Sequence, residues 1–369
     1  MWWLILPVVI YASGLIILWV ILTRRGKTVV TDSAGTARVS VIVSARNEQK
    51  DIVNLLGSLV RQDYPVDLFE IIIVNDNSTD RTPIIISEFI EANKDRSGPR
   101  IRLIYNPFSG KKKAVRYGIE KAAGEVILTT DADCIVGPGW VRSHASWYNE
   151  GGPAMVLASV IQRPARGFWS QFGAFEFSAL QAITEAAAEA GSPVMSNAAN
   201  MSFRREEYLR HSDELREDLP SGDDMFLLEA VMRGGGAARH DGRSAAAVET
   251  AGAVTAAALL RQRARWASKA FNLRGAPVIT LAAATAACNA AVTAAAVAAC
   301  FSAAYVPVVA AMYGIKAIPD YLLINGEMKK RGNRMRVIQF IVSELIYPFY
   351  FMVVWVMSMF PSSRKFAGK

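Results

Sequence analysis

The sequence predicts an α/β domain with a largely parallel sheet, attached to about four membrane-crossing helices. Three observations support this. Short continuous apolar runs alternate with helix-patterned segments between about residues 38 and 131, as in a parallel sheet covered on both faces. Three of the runs end directly in polar turn-formers and acids, at 45–48, 75–80 and 131–133. Long uncharged stretches lie at the N-terminus and beyond residue 276.

Composition narrows the class. The 369 residues carry 41 Lys and Arg against 33 Asp and Glu, a formal charge of +8, with 52% hydrophobic and 20% charged residues. That balance excludes a disordered chain. Cys134, Cys288 and Cys300 are too few and too scattered for a disulfide framework, and no Cys/His cluster has zinc spacing. Free thiols suit a reducing compartment. A basic excess fits nucleic acid, an anionic membrane surface or a phosphorylated substrate, and the placing of the apolar residues decides between them.

Residues 2–22 contain no charge and span about 31 Å as a helix, enough to cross a bilayer. Thr23-Arg24-Arg25-Gly26-Lys27 follows, whereas a secretory signal carries its charge before the apolar run. The positive-inside rule puts the N-terminus outside and residue 24 onward in the cytoplasm. A 24–274 block then reads as water-compatible and a 275–369 block as membrane region, after a 1–23 span.

Val39–Val43 and Ile71–Val74 read as strands, followed by further strands at 101–105 and 126–130. Helices are expected after Glu48, up to about Asn93, and over 112–122. Phe168–Leu180 reads either as an interfacial helix or as a core helix. From Pro277 to Asn325 the chain is long enough for two crossings, with Pro307 and Pro319 as kinks or breaks. A basic loop at 327–336 precedes a last apolar run at 337–360, whose one charge is Glu344. Four crossings put the C-terminus outside. Arg364, Lys365 and Lys369 run against the charge bias there, which makes the final run alternatively re-entrant or interfacial.

Ligands of such sheets bind at the carboxyl ends of the strands. There the chain places Ser44–Glu48, Asn75–Asp80 and Asp131-Ala132-Asp133. Two carboxylates at i and i+2 in a turn suit a hard divalent cation, Mg²⁺ or Mn²⁺, and otherwise make a solvated turn. Asp76 suits a nucleobase or ribose, or a helix cap. Lys111, Lys112 and Lys113 open a helix against its macrodipole, a conflict that a bound phosphate removes; the plainer alternative is a solvated basic face. Ser221-Gly222-Asp223-Asp224 precedes a helix and holds one more acid than a cap needs, so Asp224 suits a general base. Gln262-Arg263-Ala264-Arg265-Trp266 suits a diphosphate and a stacked sugar, or a membrane anchor. There is no G-x-x-x-x-G-K-[ST] loop, no G-x-G-x-x-G after the first strand, and no nucleic-acid-binding motif.

Taken together and in this order, these stretches resemble the family 2 glycosyltransferases, in particular the membrane-integrated branch of cellulose, chitin-oligosaccharide and hyaluronan synthases. Matching segments are Val41–Glu48, Val74–Asp80, Gly110-Lys111 with Ala114 and Gly118, Asp131-Ala132-Asp133, Gly222-Asp223-Asp224 and Gln262–Trp266. The resemblance covers roughly 38–272 and the flanking spans.

It implies a GT-A fold and inverting transfer of a hexosyl or N-acetylhexosaminyl group from a nucleotide sugar, most often a UDP-sugar. The acceptor would be a growing polysaccharide or a lipid-linked molecule at the inner membrane. Glu48 and Asp76 would contact the nucleoside, and Lys111 the base or phosphates. Asp133 would bind Mg²⁺ or Mn²⁺, with Asp131 beside it or nearer the ribose. Asp224 would be the base. Gln262, Arg263 and Arg265 would hold the diphosphate, and Trp266 and Asp223 would meet the acceptor. Membrane lipids are further partners, and nucleic acid is not.

Three features depart from the family pattern. Asp223 stands where Glu is common, Asn197-Ala198-Ala199-Asn200 occupies a stretch that commonly holds Gly, and the extra spans of the largest synthases are missing. An alternative function is a non-catalytic membrane component that keeps the fold to bind nucleotide or polymer.

Overall fold

A computed structural model describes residues 2–24, 36–94, 97–216, 222–270 and 275–360. Arg25, Gly26, Lys27, Ser221, Arg274, Arg364, Lys365 and Lys369, which enter the sequence reading, lie outside the described residues. The elements run α1 (Ile5–Arg24), β1 (Val39–Ala45), α2 (Ile52–Leu59), β2 (Phe69–Asn75), α3 (Thr82–Ala92), β3 (Arg100–Tyr105), α4 (Lys111–Glu120), β4 (Val126–Asp131), β5 (Ile135–Val136) and α5 (Trp140–Ala145). They continue as β6 (Met155–Ala158), β7 (Val160–Arg163), α6 (Phe168–Glu189), β8 (Met201–Arg204), α7 (Arg205–Arg210), α8 (Asp223–Arg233), β9 (Ala238–Asp241) and β10 (Val248–Ala251). The last helices are α9 (Ala256–Ala270), α10 (Ala276–Ala299), α11 (Val306–Lys330) and α12 (Val337–Ser358).

The chain divides into two units. One holds the described residues 36–161 and 195–251, the other 2–24, 162–194 and 252–360. The expected 24–274 block is therefore interrupted. Helices α6 and α9 group with the apolar helices because their aromatic and aliphatic faces are buried there.

In the first unit a seven-stranded sheet has the order β3-β2-β1-β4-β8-β6-β9, and β5, β10 and β7 form a small second sheet. Strands β3, β2, β1 and β4 are parallel, and β8 runs antiparallel to β4 and β6. The continuous apolar runs of β1 and β2 fit this placement, because β1 has a parallel neighbour on each side and both faces are covered. Successive connections lead from β1 outward to β3, and then α4 carries the chain back over β2 and β1 to β4. That return passes close to the sheet at Gly118, where a Cβ would lie 2.8 Å from Ile42 Cγ2 and 2.9 Å from Val74 Cγ2. The reversal of direction between β1 and β4 opens a crevice at their carboxyl ends.

Among the described residues of the second unit, four helices are long and apolar enough to cross a membrane: Trp2–Arg24, Ala276–Ala299, Ala303–Lys330 and Val337–Ser358. Pro307 lies in the first turn of α11, where its missing N–H costs nothing, while Pro319 and Pro348 lie inside helices. Helix α6 packs on α1, α11 and α12, and α9 packs on α12. Phe172, Leu259, Tyr350 and Val354 join α6, α9 and α12, and Phe175, Ile324, Met328 and Phe340 join α6, α11 and α12. Phe168–Leu180 thus packs with the apolar helices.

Buried ion pairs tie the helices of this unit together. Lys316 is fully buried; it donates to Asp320 at 2.7 Å and to Glu344, and Tyr11 donates to Asp320 at 2.8 Å. Lys330 meets both oxygens of Glu185 at 2.5 and 2.6 Å.

Candidate active site

Strand register sets one edge of the sheet. Ala45 pairs with Asn75, Asn75 with Tyr105 and Ser44 with Asp131, so the four polar loops leave the sheet at one level. The first three loops are interlocked. Asn47 and Asn77 adopt the left-handed region at φ 57° and 56°, which Asn tolerates better than most residues. Asn47 Oδ1 accepts from Thr79 N at 2.8 Å, Glu48 N donates to Thr82 Oγ1 at 2.8 Å, and Asn77 Nδ2 donates to the Phe108 carbonyl at 2.6 Å. Asp76 is buried at the centre. Its Oδ1 accepts from Asn106 Nδ2 at 2.8 Å and from Gly110 N at 2.9 Å. Gly110, at φ 108°, makes the turn into α4 that few other residues allow.

The next residue, Lys111, carries the charge of the site. Its Nζ donates to Asp131 Oδ1 at 2.5 Å. Enclosure by protein would lower its pKa. Asp131, and after it Asp223 and Asp224, instead hold the ammonium above the ordinary lysine range. Acids from the end of β4 and the start of α8 therefore act on one cation, although about ninety positions separate them. Asp133 lies two residues beyond Asp131, with the Cys134 thiol 3.9 Å from its Oδ1. Burial, followed in weight by the charges of Asp131 and Asp133, pushes the Cys134 thiol well up and keeps it protonated.

Helix α8 starts at Asp223, earlier than expected, so both acids sit in its first turn, where the macrodipole favours them. Gly222 precedes them at φ 103°. Asp224 is 7% exposed; its Oδ1 accepts from Met225 N at 2.9 Å and its Oδ2 from Ala198 N at 3.3 Å. Lys112 does not lie on a solvated face. It is buried, donates to the carbonyls of Leu215 and Arg216 at 3.0 and 2.9 Å, and sits over the Phe226 ring. Lys113 lies over Phe108.

The stretch at 197–200 that departs from the family pattern thus touches Asp224. Among described non-glycine residues only Asn47, Asn77 and Arg216 have positive φ, so Ala198 and Ala199 fit their backbone without strain. Asn200 anchors the turn: its Nδ2 donates to the Ser159 and Ala246 carbonyls, each at 2.8 Å, and its Oδ1 accepts from Trp140 Nε1 at 2.9 Å. The His144 ring nitrogens lie 3.1 Å from Asn200 Oδ1 and 2.8 Å from Ser202 Oγ, and Ser202 also meets the Tyr148 hydroxyl. Burial lowers the His144 pKa to about 4, so the ring is neutral.

The sequence-predicted residues of the first unit, Glu48, Asp76, Lys111, Asp131, Asp133, Asp223 and Asp224, are carried by the loops after β1, β2, β3 and β4 and by the start of α8. Gln262, Arg263, Arg265 and Trp266 lie on α9 in the other unit. There Arg263 is 4% exposed, and its Nε donates to Glu176 Oε2 at 2.7 Å. It also stacks 4.2 Å from the Trp266 ring centre. Sequence reading passed over Asn106, His144 and Glu176, and named Asn200 only as part of a stretch that departs from the family pattern. Only Asn106, directly after β3, and Glu176, the lone acid of Phe168–Leu180, stand out in retrospect.

Comparison with known proteins agrees with this geometry. Residues 40–211 match the family model described as Glycosyl transferase family 2. The probable glycosyltransferase YdaM of Bacillus subtilis is 42% identical over 96 residues, 26% of this chain and 23% of that protein. Beta-monoglucosyldiacylglycerol synthase of Nostoc sp. is 29% identical over 134 residues, 36% of this chain and 28% of that protein. The matches thus span about a quarter of the length of these curated relatives. The structure of a mannosyltransferase from Pyrobaculum calidifontis, in complex with GDP-Man and Mn²⁺, superposes with a TM-score of 0.64 at 19% identity. It covers 97% of this chain and 99% of that one, and shows that the mixed sheet has the GT-A fold. Residues 40–211, with their interlocked loops and acidic strand end, are therefore a family 2 glycosyltransferase domain.

Proposed function

We propose that the protein is a membrane-bound inverting glycosyltransferase that transfers a hexosyl or N-acetylhexosaminyl group from a nucleoside-diphosphate sugar, with UDP the favoured nucleotide. The reading is carried by the convergence of Asp131, Asp223 and Asp224 on Lys111, beside the buried Asp76, at the carboxyl edge of the sheet. Glu48 and Asp76 would hold the nucleoside. Lys111 would meet the diphosphate. The expected diphosphate role of Arg263 is not carried forward, because its guanidinium already pairs with Glu176.

The donor set fits Mg²⁺ or Mn²⁺. Asp133 and Asp131 are hard carboxylate ligands on one strand end, and such ions commonly take one or two carboxylates and complete their shell with substrate phosphates. Among the described residues no group of three or more His, Cys, Asp and Glu could hold a metal alone. When bound, the ion would neutralise charge developing on the leaving diphosphate.

Asp224 would take the proton of the acceptor hydroxyl as its oxygen attacks the anomeric carbon, while the bond to the nucleoside diphosphate breaks. One displacement needs one base and inverts the anomeric centre. Asp223 would orient the acceptor. Lys316 pairs with Asp320 and Glu344, and Tyr11 donates to Asp320, which ties α1, α11 and α12 together and favours a lipid-linked acceptor over a polysaccharide threaded between these helices.

The test incubates purified full-length protein with Mn²⁺ or Mg²⁺, a panel of UDP- and GDP-sugars, and membrane lipid extract, and measures nucleoside diphosphate release. Asp133→Asn and Asp224→Asn should each lower turnover by about 10²–10⁴-fold with unchanged thermal unfolding. Undiminished turnover in Asp224→Asn would remove it as the base. Product size separates a lipid glycoside from a polymer.

A further inference from the structure

We propose that Lys112 is a positioning residue that holds the first turn of α8, and with it the carboxylate of Asp224, in place beside Lys111 and the end of β4. The inference rests on the reading above, in which Asp224 is the general base. All of the residues involved lie in the unit that carries the seven-stranded sheet.

The two adjacent lysines at the start of α4 have different partners. Lys111 meets Asp131, whereas Lys112 meets the chain on either side of the Asp223-Asp224 pair. Before the pair, Lys112 Nζ donates to the carbonyls of Leu215 and Arg216 at 3.0 and 2.9 Å. After it, the ammonium lies 5.0 Å from the centre of the Phe226 ring. Phe226 N donates to the Gly222 carbonyl at 2.9 Å and so closes the turn that carries both acids. One cation thus restrains both flanks of the stretch from which Asp224 projects.

The backbone at Arg216 shows that this restraint is needed. Arg216 adopts the left-handed region at φ 51°, which is unfavourable for a residue with a long side chain. Among the described non-glycine residues the other two in that region are Asn47 and Asn77, both in the loops of the site. Such conformations persist where the surroundings over-determine them, and they gather at functional sites. Lys112 supplies the restraint at Arg216 by taking its carbonyl and the one before it. Arg233 on α8 also meets Glu214, at 2.6 Å, but both side chains are exposed, and an exposed pair is a weak constraint. A methionine would fill nearly the same volume as Lys112 and keep the contact with Phe226 without burying a charge. It could not hold the two carbonyls, so these are what the lysine adds.

The experiment uses purified full-length protein in detergent with Mn²⁺. It measures thermal unfolding, the dissociation constants of UDP and GDP, and nucleoside diphosphate release from the donor preferred in the panel above, with membrane lipid extract. Lys112→Met should bind the preferred nucleoside diphosphate as tightly as wild type. It should turn over about 10–10²-fold more slowly at a temperature where both proteins are fully folded, because a misplacement of about 1 Å can cost that much. In an Asp224→Asn background, Lys112→Met should slow turnover no further, because Lys112 acts through Asp224. If Lys112→Met does not fold, the same split between binding and turnover is expected of Lys112→Gln, which keeps an amide donor. Wild-type turnover in a folded Lys112 variant, a loss of nucleoside diphosphate affinity in proportion to the loss of turnover, or full additivity with Asp224→Asn overturns the inference. Undiminished turnover in Asp224→Asn overturns instead the parent reading of Asp224 as the base.

Discussion

Asp76 shows how one buried carboxylate can serve both fold and function. Its Oδ1 ties the loop after β2 to Asn106 and Gly110 in the loop after β3, directly before Lys111. Asp76→Ala strands two enclosed donors, at about 1–3 kcal/mol each for a buried unsatisfied group. The expected outcome is a lowered unfolding temperature together with loss of nucleotide binding, whereas Asp76→Asn, which keeps the acceptor oxygen, should recover most of the stability. His144 gives a pH signature. Its folded pKa, about 4, lies below the ordinary 6.5 because burial penalises the charged ring. Between these values the unfolded chain binds the proton and the folded one does not. Stability should therefore be complete above pH 6.5 and fall as pH drops toward 4. The carboxylates held low, Glu70, Asp80, Glu214 and Asp241, add to this loss only at the acid end of that window. Unfolding midpoints from pH 7.5 to 5 should decline less steeply in His144→Gln, and an unchanged slope would discard His144 as the cause. Asp76 was legible in the sequence because it follows a strand directly. His144 and Asn200 were not, because each is defined by a partner more than 40 positions away.

At the scale of elements, β1, β2 and β4 were legible because each is a largely apolar run ending in turn-formers, and period and length together separate such runs from helices; β3, with Arg100 and Arg102, is the less apolar edge strand. Helix α8 was less legible. Its first turn holds two acids that read equally well as residues before the helix, and only the left-handed Gly222 marks the boundary. The grouping of α6 and α9 with the apolar helices was hidden as well, because their buried faces are set by tertiary partners. Lys316 was passed over inside α11, since one lysine hardly disturbs an apolar run, and its pairing with Glu344 on another helix leaves no local trace. Two helix glycines give a paired prediction. Gly118 in α4 rests on Ile42 and Val74 of central strands, where a Cβ would come within 3 Å of both. Gly57 in α2 has only the far end of Arg61 nearby, at 3.5 Å. Gly118→Ala should destabilise by about 1–3 kcal/mol despite the better helix propensity. Gly57→Ala should be neutral or stabilise by up to about 1 kcal/mol. Thermal unfolding of the two variants side by side checks this, and equal shifts would mean that α4 does not pack as described.

At the scale of the whole molecule, the proposed function requires the glycosyltransferase domain to face the compartment that holds nucleotide sugars. Charge around the apolar helices supports that proposed orientation. Arg24 closes α1, Lys329 and Lys330 lie in the last turn of α11 and Arg331, Arg334 and Arg336 in the link to α12, while residues 300–305 between α10 and α11 carry no charge. The positive-inside rule then assigns the first two places to the cytoplasm and the third to the outside. The cysteines provide a natural probe. Cys134 and Cys288 are buried, and Cys300, at the end of α10, is exposed. A membrane-impermeant maleimide applied to right-side-out vesicles should therefore label Cys300. Labelling should vanish in Cys300→Ser, and the same variant carrying Asn333→Cys should react only after the vesicles are opened. The reverse pattern would put the domain on the outer side, away from cytoplasmic nucleotide sugars. It would then overturn the proposed orientation while leaving the membership of residues 40–211 in the family untouched, because the sheet and its interlocked loops do not depend on which side of the bilayer they occupy.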